Sequence, residues 1–424
     1  MNSLIKKIIL CVLFSGLFFS GMTTTAQENY FTISGVIKDE ITKKPIEYAT
    51  ISVTGYNIGT ISNEDGDFSL KIPAFISKKT FIECSHIGYY SIRITTDGND
   101  ASDLKIFLTP YTAPINEVIV QGWDAQYLIQ EAIRKIGDNY SSSPTRLTGF
   151  YRETIQKKHN YINITEAIID IYKTAYTMGV DRDLVQIMKG RKILSPRKSD
   201  TLAINLMGGP NLSVALDVVK DPDFILSKDA SFFFSFELEG TTQLNGRDQF
   251  IISFEPKVTL PDHLLYTGTF YIDKENLAFS RADIDLDMSD KNKVTSILLK
   301  KKPIGLRFKP SKVSYIITYR EQDGKTYLHY IRNNFQFKCD WKRKLFSTNY
   351  SIVSEMVVTN IDEQNVSVIP KKSAFHTNQI LTDEIMNFYD QNFWGAYNII
   401  EPTESLDLAI SRLKKRKENT QSTK

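Results

Sequence analysis

Several residue groups in this chain have the types and spacing that chemistry requires. The stretch Ser62-Asn63-Glu64-Asp65-Gly66-Asp67-Phe68-Ser69-Leu70 sets three carboxylates and an amide around one glycine, the composition of a calcium loop. An EF-hand needs oxygen ligands at alternating positions, glycine at the sixth and a bidentate Glu at the twelfth. With Gly66 sixth, Asn63, Asp65 and Ser69 fall on the third, fifth and ninth positions, but Ile61 stands first and Ile72 twelfth. Both ends lack a ligand, so the stretch reads as a hairpin corner. Gly66 relieves the backbone, Asn63 and Asp65 bond their own main chain, and Phe68 and Leu70 re-enter the core.

Other groupings fail on similar grounds. Cys84 and His86 stand two apart on a predicted strand and share a face, offering half a zinc site with no second pair near by in sequence. Asp283, Asp285 and Asp287 alternate with Ile284 and Leu286, as a half-buried strand does when it shows carboxylates to water. Ser195 and Lys198 form Ser-x-x-Lys, but Pro196 breaks the helical turn that would bring hydroxyl and amine together. Gly208-Gly209-Pro210-Asn211 lacks the Gly-Lys-Ser/Thr of a phosphate loop, and no Gly-x-Ser-x-Gly elbow occurs. The expectation is a protein that is not an enzyme, with no catalytic residue, no cofactor and no metal.

The elements that carry these residues are mostly strands. Hydrophobic and charged shares of 42% and 24% are ordinary for a globular chain, while 21 Tyr and 25 Phe favour β structure. A net charge of +3 over 424 residues makes no case for nucleic acid. Lys6 and Lys7, the apolar run from Ile8 to Phe19 and the small polar segment ending at Ala26 read as a signal peptide over 1–26. Cys11 goes with it, leaving Cys84 and Cys339 as two separate buried thiols. No later window is apolar enough for a membrane helix.

From Tyr30 to Leu108, apolar residues alternate with polar ones: Ala49, Ile51 and Val53, then Phe68, Leu70 and Ile72, then Ile82 and Cys84, Ile92 and Ile94. Short strands of this kind predict a β-sandwich over 29–110. The Gly-Val-Ile opening, Pro45-Ile46-Glu47-Tyr48-Ala49, Gly59-Thr60-Ile61-Ser62 before Asp65-Gly66-Asp67-Phe68, and Ile87-Gly88-Tyr89 resemble the carboxypeptidase-regulatory-like domain, a transthyretin-like sandwich. The resemblance implies an appendage rather than a catalyst, often placed ahead of outer-membrane proteins. None of the five histidines, His86, His159, His263, His329 and His376, begins the His-x-x-Glu of a zinc carboxypeptidase. A linker strand follows over 111–123. Its Glu117-Val118-Ile119-Val120 is similar to a stretch that follows the same sandwich in TonB-dependent receptors, and it could offer an edge to a partner.

Beyond the linker, residues 124–360 predict an α+β domain. Asp124 caps a helix carrying Ile129, Ala132, Ile133, Ile136 and Tyr140. Two strands, Leu147–Glu153 and Tyr161–Glu166, come next. Residues 176–230, with Lys189, Arg191, Lys192, Arg197 and Lys198, read as an irregular excursion over one face. From Ser231 to Thr359, the turns Asn245-Gly246, Asp273-Lys274-Glu275-Asn276 and Asp323-Gly324 divide long strands, predicting a wide, curved antiparallel sheet. Helix plus sheet is similar to the half-barrel of outer-membrane lipoprotein carriers and sorting proteins, the cadence of Tyr266–Asp273 above all. Residues 361–424 predict C-terminal helices, one from Thr382 and Asp383 with Ile385, Met386, Phe388 and Tyr389, another capped by Thr403 with Leu406, Ile410 and Leu413, then a solvated basic tail from Lys414 to Lys417.

The fold class expected is mainly β: a sandwich followed by a curved-sheet domain. The function expected is non-enzymatic. It is an exported protein at the periplasmic side of an outer membrane, binding an apolar ligand such as a lipid, or a protein partner, with Phe232-Phe233-Phe234-Ser235-Phe236 as apolar surface. The alternative is an adaptor of an outer-membrane transport system, engaging its partner by strand addition through 116–122.

Overall fold

A computed structural model describes residues 30–76, 79–112, 124–197, 200, 208–221, 225–227, 230–258, 263–298, 305–341, 347–385 and 393–421. The expected signal peptide, the strand with Glu117, Val118, Ile119 and Val120, residue Lys198 and the stretch from Met386 to Tyr389 lie outside them.

The protein is mainly β. Strands β1 (Tyr30–Asp39), β4 (Asp67–Pro73) and β7 (Ala101–Leu108) form one sheet in the order β4-β1-β7, with β1 and β7 parallel. Strands β2 (Thr50–Val53), β3 (Gly59–Ile61), β5 (Phe81–Ser85) and β6 (Ile92–Thr95) form a second in the order β3-β2-β5-β6. Alternation decides what each strand buries: along β4, Phe68, Leu70 and Ile72 are buried while Ser69 and Lys71 are half-buried. Ile33, Ile37, Ile51, Val53, Ile82 and Cys84 join them in one core between the sheets.

The third sheet has ten strands in the order β10-β9-β8-β17-β16-β15-β14-β13-β12-β11. They are β8 (Thr145–Lys157), β9 (Asn160–Lys173), β10 (Leu184–Leu194), β11 (Phe234–Leu244), β12 (Arg247–Pro256), β13 (Tyr266–Asp273), β14 (Phe279–Leu286), β15 (Leu306–Gln322), β16 (Lys325–Trp341) and β17 (Thr348–Asp362). The expected turns are where the hairpins close. Asn245 and Gly246, with φ of 51° and 76°, and Asp323 and Gly324, with the same pair of angles, supply the two left-handed residues of a tight hairpin. Bulges at Ile187/Lys189, Leu238/Gly240, Pro310/Lys312 and Val358/Asn360 bend the strands and curve the sheet.

Helix α1 (Ala125–Arg134) starts where expected, with Asp124 Oδ1 accepting the Gln126 amide at 2.9 Å. It ends earlier: Tyr140 is extended, beyond a short helical turn at Ile136–Asn139. Leu128, Ile129 and Ala132 pack on one face of the large sheet, together with α2 (Gly209–Ala215), Val218, Val219, Ile225 and Leu226. We call this the helix face. The opposite face carries the sandwich: Tyr48 and Ile61 meet Phe150, Ile168, Tyr330 and Val357, with Phe393, Trp394 and Ile400 between.

Two expectations are corrected. The excursion at 176–230 contains a regular strand, β10, paired antiparallel to β9. As the end strand of the sheet it carries polar side chains on both sides, which erased the alternation. The basic tail does not trail off either, since Lys414 to Lys417 continue helix α3 (Glu404–Gln421). Thr403 caps that helix through Leu406 N at 3.2 Å, and Leu406, Ile410 and Leu413 pack on Ile164 and Ile193.

Candidate functional site

On the helix face the strands β11 to β14 hold a line of aromatic rings. Phe254 stacks on Phe270 at 4.7 Å, Phe270 meets Phe279 at 5.5 Å, and Phe234 and Phe236 approach Phe254 at 5.8 and 6.4 Å. The deep rings are sealed, whereas the line opens at the sheet's end strand, where Phe236 and Leu238 are only half-buried; in the helical turn just before that strand, Phe232 is 71% exposed. The expected apolar stretch at 232–236 thus divides between core and rim. At the far end of the same strands lies a pocket of about 240 Å³ lined by polar groups. There Gln249 donates to Asp273 Oδ2 at 3.0 Å, and Arg247 reaches Asp273 at 2.7 Å and also pairs with Glu321.

Next to the line, four buried charges close on themselves. Lys173 Nζ lies 2.7 Å from Asp217 Oδ2 and 3.2 Å from Asp183 Oδ2, and Lys220 Nζ lies 2.6 Å from Asp183 Oδ1. Tyr319 and Tyr176 donate to the two oxygens of Asp217 at 2.8 and 3.1 Å, and Lys220 also donates to the Thr174 carbonyl at 2.6 Å. Burial and the neighbouring Lys173 bring the Lys220 ammonium down to about 8. Against burial, Lys173 and Lys220 hold the Asp183 carboxyl below the usual carboxylate range. Two cations and two anions leave the cluster neutral, and every charge is partnered. Its effect is to hold the 217–220 segment against the sheet.

Glu153 is the unbalanced carboxyl of this face. It stands on β8 between Thr165 of β9 and Ser354 of β17, and its neighbour is the Tyr151 hydroxyl, at 3.3 Å. Burial pushes its pKa up to about 7.

On the sandwich face, one cross-strand row alternates in sign. Arg191 of β10 lies 2.6 Å from Glu166 of β9, which lies 2.8 Å from Arg152 of β8. Arg152 lies 4.0 Å from Glu355 of β17, and Glu355 lies 2.9 Å from Arg332 of β16. Register places these residues directly opposite one another, the position at which opposite charges stabilise a sheet. The row ends on Glu64 of the sandwich, which pairs with Arg332.

Residues 393–404 run through the same seam. Asn398 exchanges two hydrogen bonds with the Lys71 main chain at 2.7 and 3.1 Å. Thr60 donates to the Ile399 carbonyl at 2.9 Å, and Arg152 donates to the Ile400 carbonyl at 2.7 Å.

The stretch 62–70 turns the corner as expected: Asn63 Oδ1 accepts the amides of Asp65 and Asp67, each at 2.9 Å, and Gly66 has φ 79°. It also docks. Asn63 donates to the Pro402 carbonyl at 3.1 Å, and Asp65 accepts the Glu404 amide at 2.8 Å. Cys84 and His86 do not act together. Cys84 lies in the sandwich core with its thiol pushed up by burial to about 12. His86 follows the end of β5, and burial, with Arg281 near by, lowers its imidazole to about 4. Asp283 is gripped by Arg281 Nε at 2.8 Å, and Asp285 faces Lys312 at 4.0 Å. Ser195 donates to Asp200 at 2.6 Å, and Gly208-Gly209-Pro210 starts α2. The basic patch is absorbed by the seam and by the 380s: Arg191 stacks on Trp394, Lys189 on Phe393, and Lys192 donates to the Thr382 carbonyl. Among the described residues, no group of three or more His, Cys, Asp or Glu could hold a metal ion. No described helix is long and apolar enough to cross a membrane.

Residues 33–120 match the CarboxypepD_reg-like domain family, so the resemblance read from the sandwich signature is a family match. No curated protein matches the chain. Among solved structures, the chain is similar to a LolA superfamily protein from Nitrosomonas europaea, with 12% identity, a TM-score of 0.25, and coverage of 59% of this chain and 97% of that one. It is also similar to a putative outer membrane lipoprotein-sorting protein domain from Vibrio parahaemolyticus, with 10% identity, a TM-score of 0.27, and coverage of 59% and 96%.

Proposed function

We propose that this is an exported, non-catalytic binding protein of the cell envelope that takes an apolar ligand of the acyl-chain class at the β11 rim of the helix face. The observation that carries the reading is the aromatic line, sealed at Phe270 and Phe279 and open at Phe236, Leu238 and Phe232. Side chains left half-exposed beside a packed apolar core mark a surface that gains by being covered. Strand addition at this edge is the less favourable use. Glu237 and Glu239 stand exposed on β11, and the bulge at Leu238/Gly240 twists it, both of which oppose open-ended pairing. The strand at 116–122 retains its place as the proposed partner contact if the protein works as an adaptor.

Mass spectrometry of the purified full-length protein is expected to find a retained acyl-chain compound. In Phe232→Ser/Phe236→Ser its occupancy is expected to fall about tenfold, the loss of two aromatic contacts worth roughly 1.4 kcal/mol. A wild-type protein free of any such compound, and unable to take up a fluorescent fatty acid, would refute the reading.

A further inference from the structure

Among the described residues, one buried cation has no counter-charge. Arg320 of β15 is 7% exposed, lies on the sandwich face, and none of its Nε, Nη1 and Nη2 atoms meets an acceptor among the described residues. The adjoining Glu321 is no help, since it pairs with Arg247. His329, 2% exposed, is the extra residue where β16 bulges against β15 at Thr318/Tyr319, and its Nε2 also lacks a partner. From the sandwich, Gly59 presses on the guanidinium so closely that a Cβ there would stand 2.6 Å from Nη1. Asn57, two residues earlier, anchors to the Ile361 carbonyl at 3.1 Å through Nδ2, and its buried Oδ1 has no partner.

Guanidinium does not deprotonate in proteins, so this cation cannot escape its burial cost by neutralising, as a lysine would. An uncompensated charge in this setting is among the most expensive features a fold can keep. Consistent with that, burial alone pulls Arg320 down to about 10, and His329, desolvated beside it, is held far below the usual imidazole range.

We propose that Arg320 and His329, facing Gly59 across the seam, form a binding site for a small oxyanion, a carboxylate or phosphate group, that bridges the sandwich to the large sheet. The planar fork of Arg320 supplies paired donors matched to two oxygens, and His329 in its neutral form supplies one more from Nε2. Gly59 leaves the backbone low enough for the guanidinium to reach the seam. The site stands on the opposite face of the sheet from the β11 rim, so it is independent of the apolar-ligand reading.

Calorimetric titration of the full chain with sodium phosphate, sodium sulfate and sodium acetate, at constant ionic strength, tests the site. Saturable binding of at least one is expected, accompanied by a rise in the thermal midpoint, because an anion that binds only the folded state stabilises it. Preference for phosphate over acetate, or the reverse, identifies the source of the oxyanion. Arg320→Gln is expected to weaken binding about tenfold or more and to abolish the thermal response. Should that variant fold poorly, His329→Phe, which keeps the cation and removes one donor, is expected to weaken binding about threefold to tenfold. No saturable binding of any of the three anions to the wild type, or equal binding by the wild type and both variants, overturns the proposal.

Discussion

The two faces of the ten-stranded sheet bury charge in different ways. On the helix face, Lys173, Lys220, Asp183 and Asp217 form a closed neutral set, joined to one another, to Tyr176 and Tyr319, and to Thr174 through its hydroxyl and main chain. On the sandwich face, the row from Arg191 to Arg332 holds three cations and two anions, and the carboxylate that balances it, Glu64, belongs to the sandwich, so the row is complete only when the two bodies are seated. Burying charge is costly in either place. The first arrangement fixes a segment within one body, whereas the second makes the fit between two bodies part of the electrostatic balance. A closed set gives rigidity without signalling anything outward; an open row reports whether the seam is formed.

The largest effect is expected where the set is closed. Asp217→Asn leaves Lys173 facing one carboxylate that it shares with Lys220, and the loss in urea unfolding is expected to be about 3–5 kcal/mol. Replacing Lys173 and Asp217 together, by Met and Leu, leaves Lys220 and Asp183 as a neutral pair and is expected to cost less than the sum of the two single changes. Strict additivity would mean that the four groups do not behave as one set.

Glu153 sharpens the contrast from the other side, because among the described residues it has no counter-charge on the helix face. Its folded-state pKa of about 7 lies above the ordinary value of 4.5, so the folded protein holds this proton more tightly than the unfolded chain. The contribution to stability is therefore full below about pH 4.5 and is lost as pH rises through about 7. Glu153→Gln is expected to flatten that loss and to be more stable than the wild type at pH 8, by about 3 kcal/mol, while matching it at pH 4. Parallel stability profiles for the two proteins over that range would place the charge elsewhere.

Much of the framework is legible in the residues themselves. Hairpin turns at Asn245-Gly246 and Asp323-Gly324, the caps Asp124 and Thr403, and the alternation through β4 and β12 to β15 each follow from local sterics and local hydrogen bonds. The buried charges are not legible in that way. Lys173 and Asp183 stand well apart along the chain from Asp217 and Lys220, and each reads alone as a surface residue; only pairing makes burial tolerable, and pairing between the two groups is a property of the fold. Arg191 and Lys192 read locally as basic residues of an irregular segment, yet nothing local reveals Glu166 and Trp394 as partners of Arg191 or the Thr382 carbonyl as that of Lys192. One signal was available: Glu166 and Arg152 sit in strands otherwise rich in Ile, Tyr and Thr, a setting in which a charge must find a partner or break the strand.

The smallest predicted effect concerns the corner at 62–70, which belongs to both bodies. Asn63 serves the turn through Oδ1, which accepts two amides, and the seam through Nδ2, which donates to a carbonyl 339 residues further on. These roles can be separated. Asn63→Asp keeps the acceptor for Asp65 and Asp67 but removes the donor to Pro402, and it adds a carboxylate beside Glu64 and Asp65; Asn63→Ala removes both roles. If the turn dominates, Asp is expected to cost less than Ala, with Ala losing about 1–2 kcal/mol in urea unfolding. If the seam dominates, the two cost the same, and limited proteolysis between the sandwich and the sheet speeds up equally in both. The geometry of Asn63, with two turn amides at 2.9 Å against longer seam contacts to the Pro402 and Glu401 carbonyls at 3.1 and 3.4 Å, favours the first outcome.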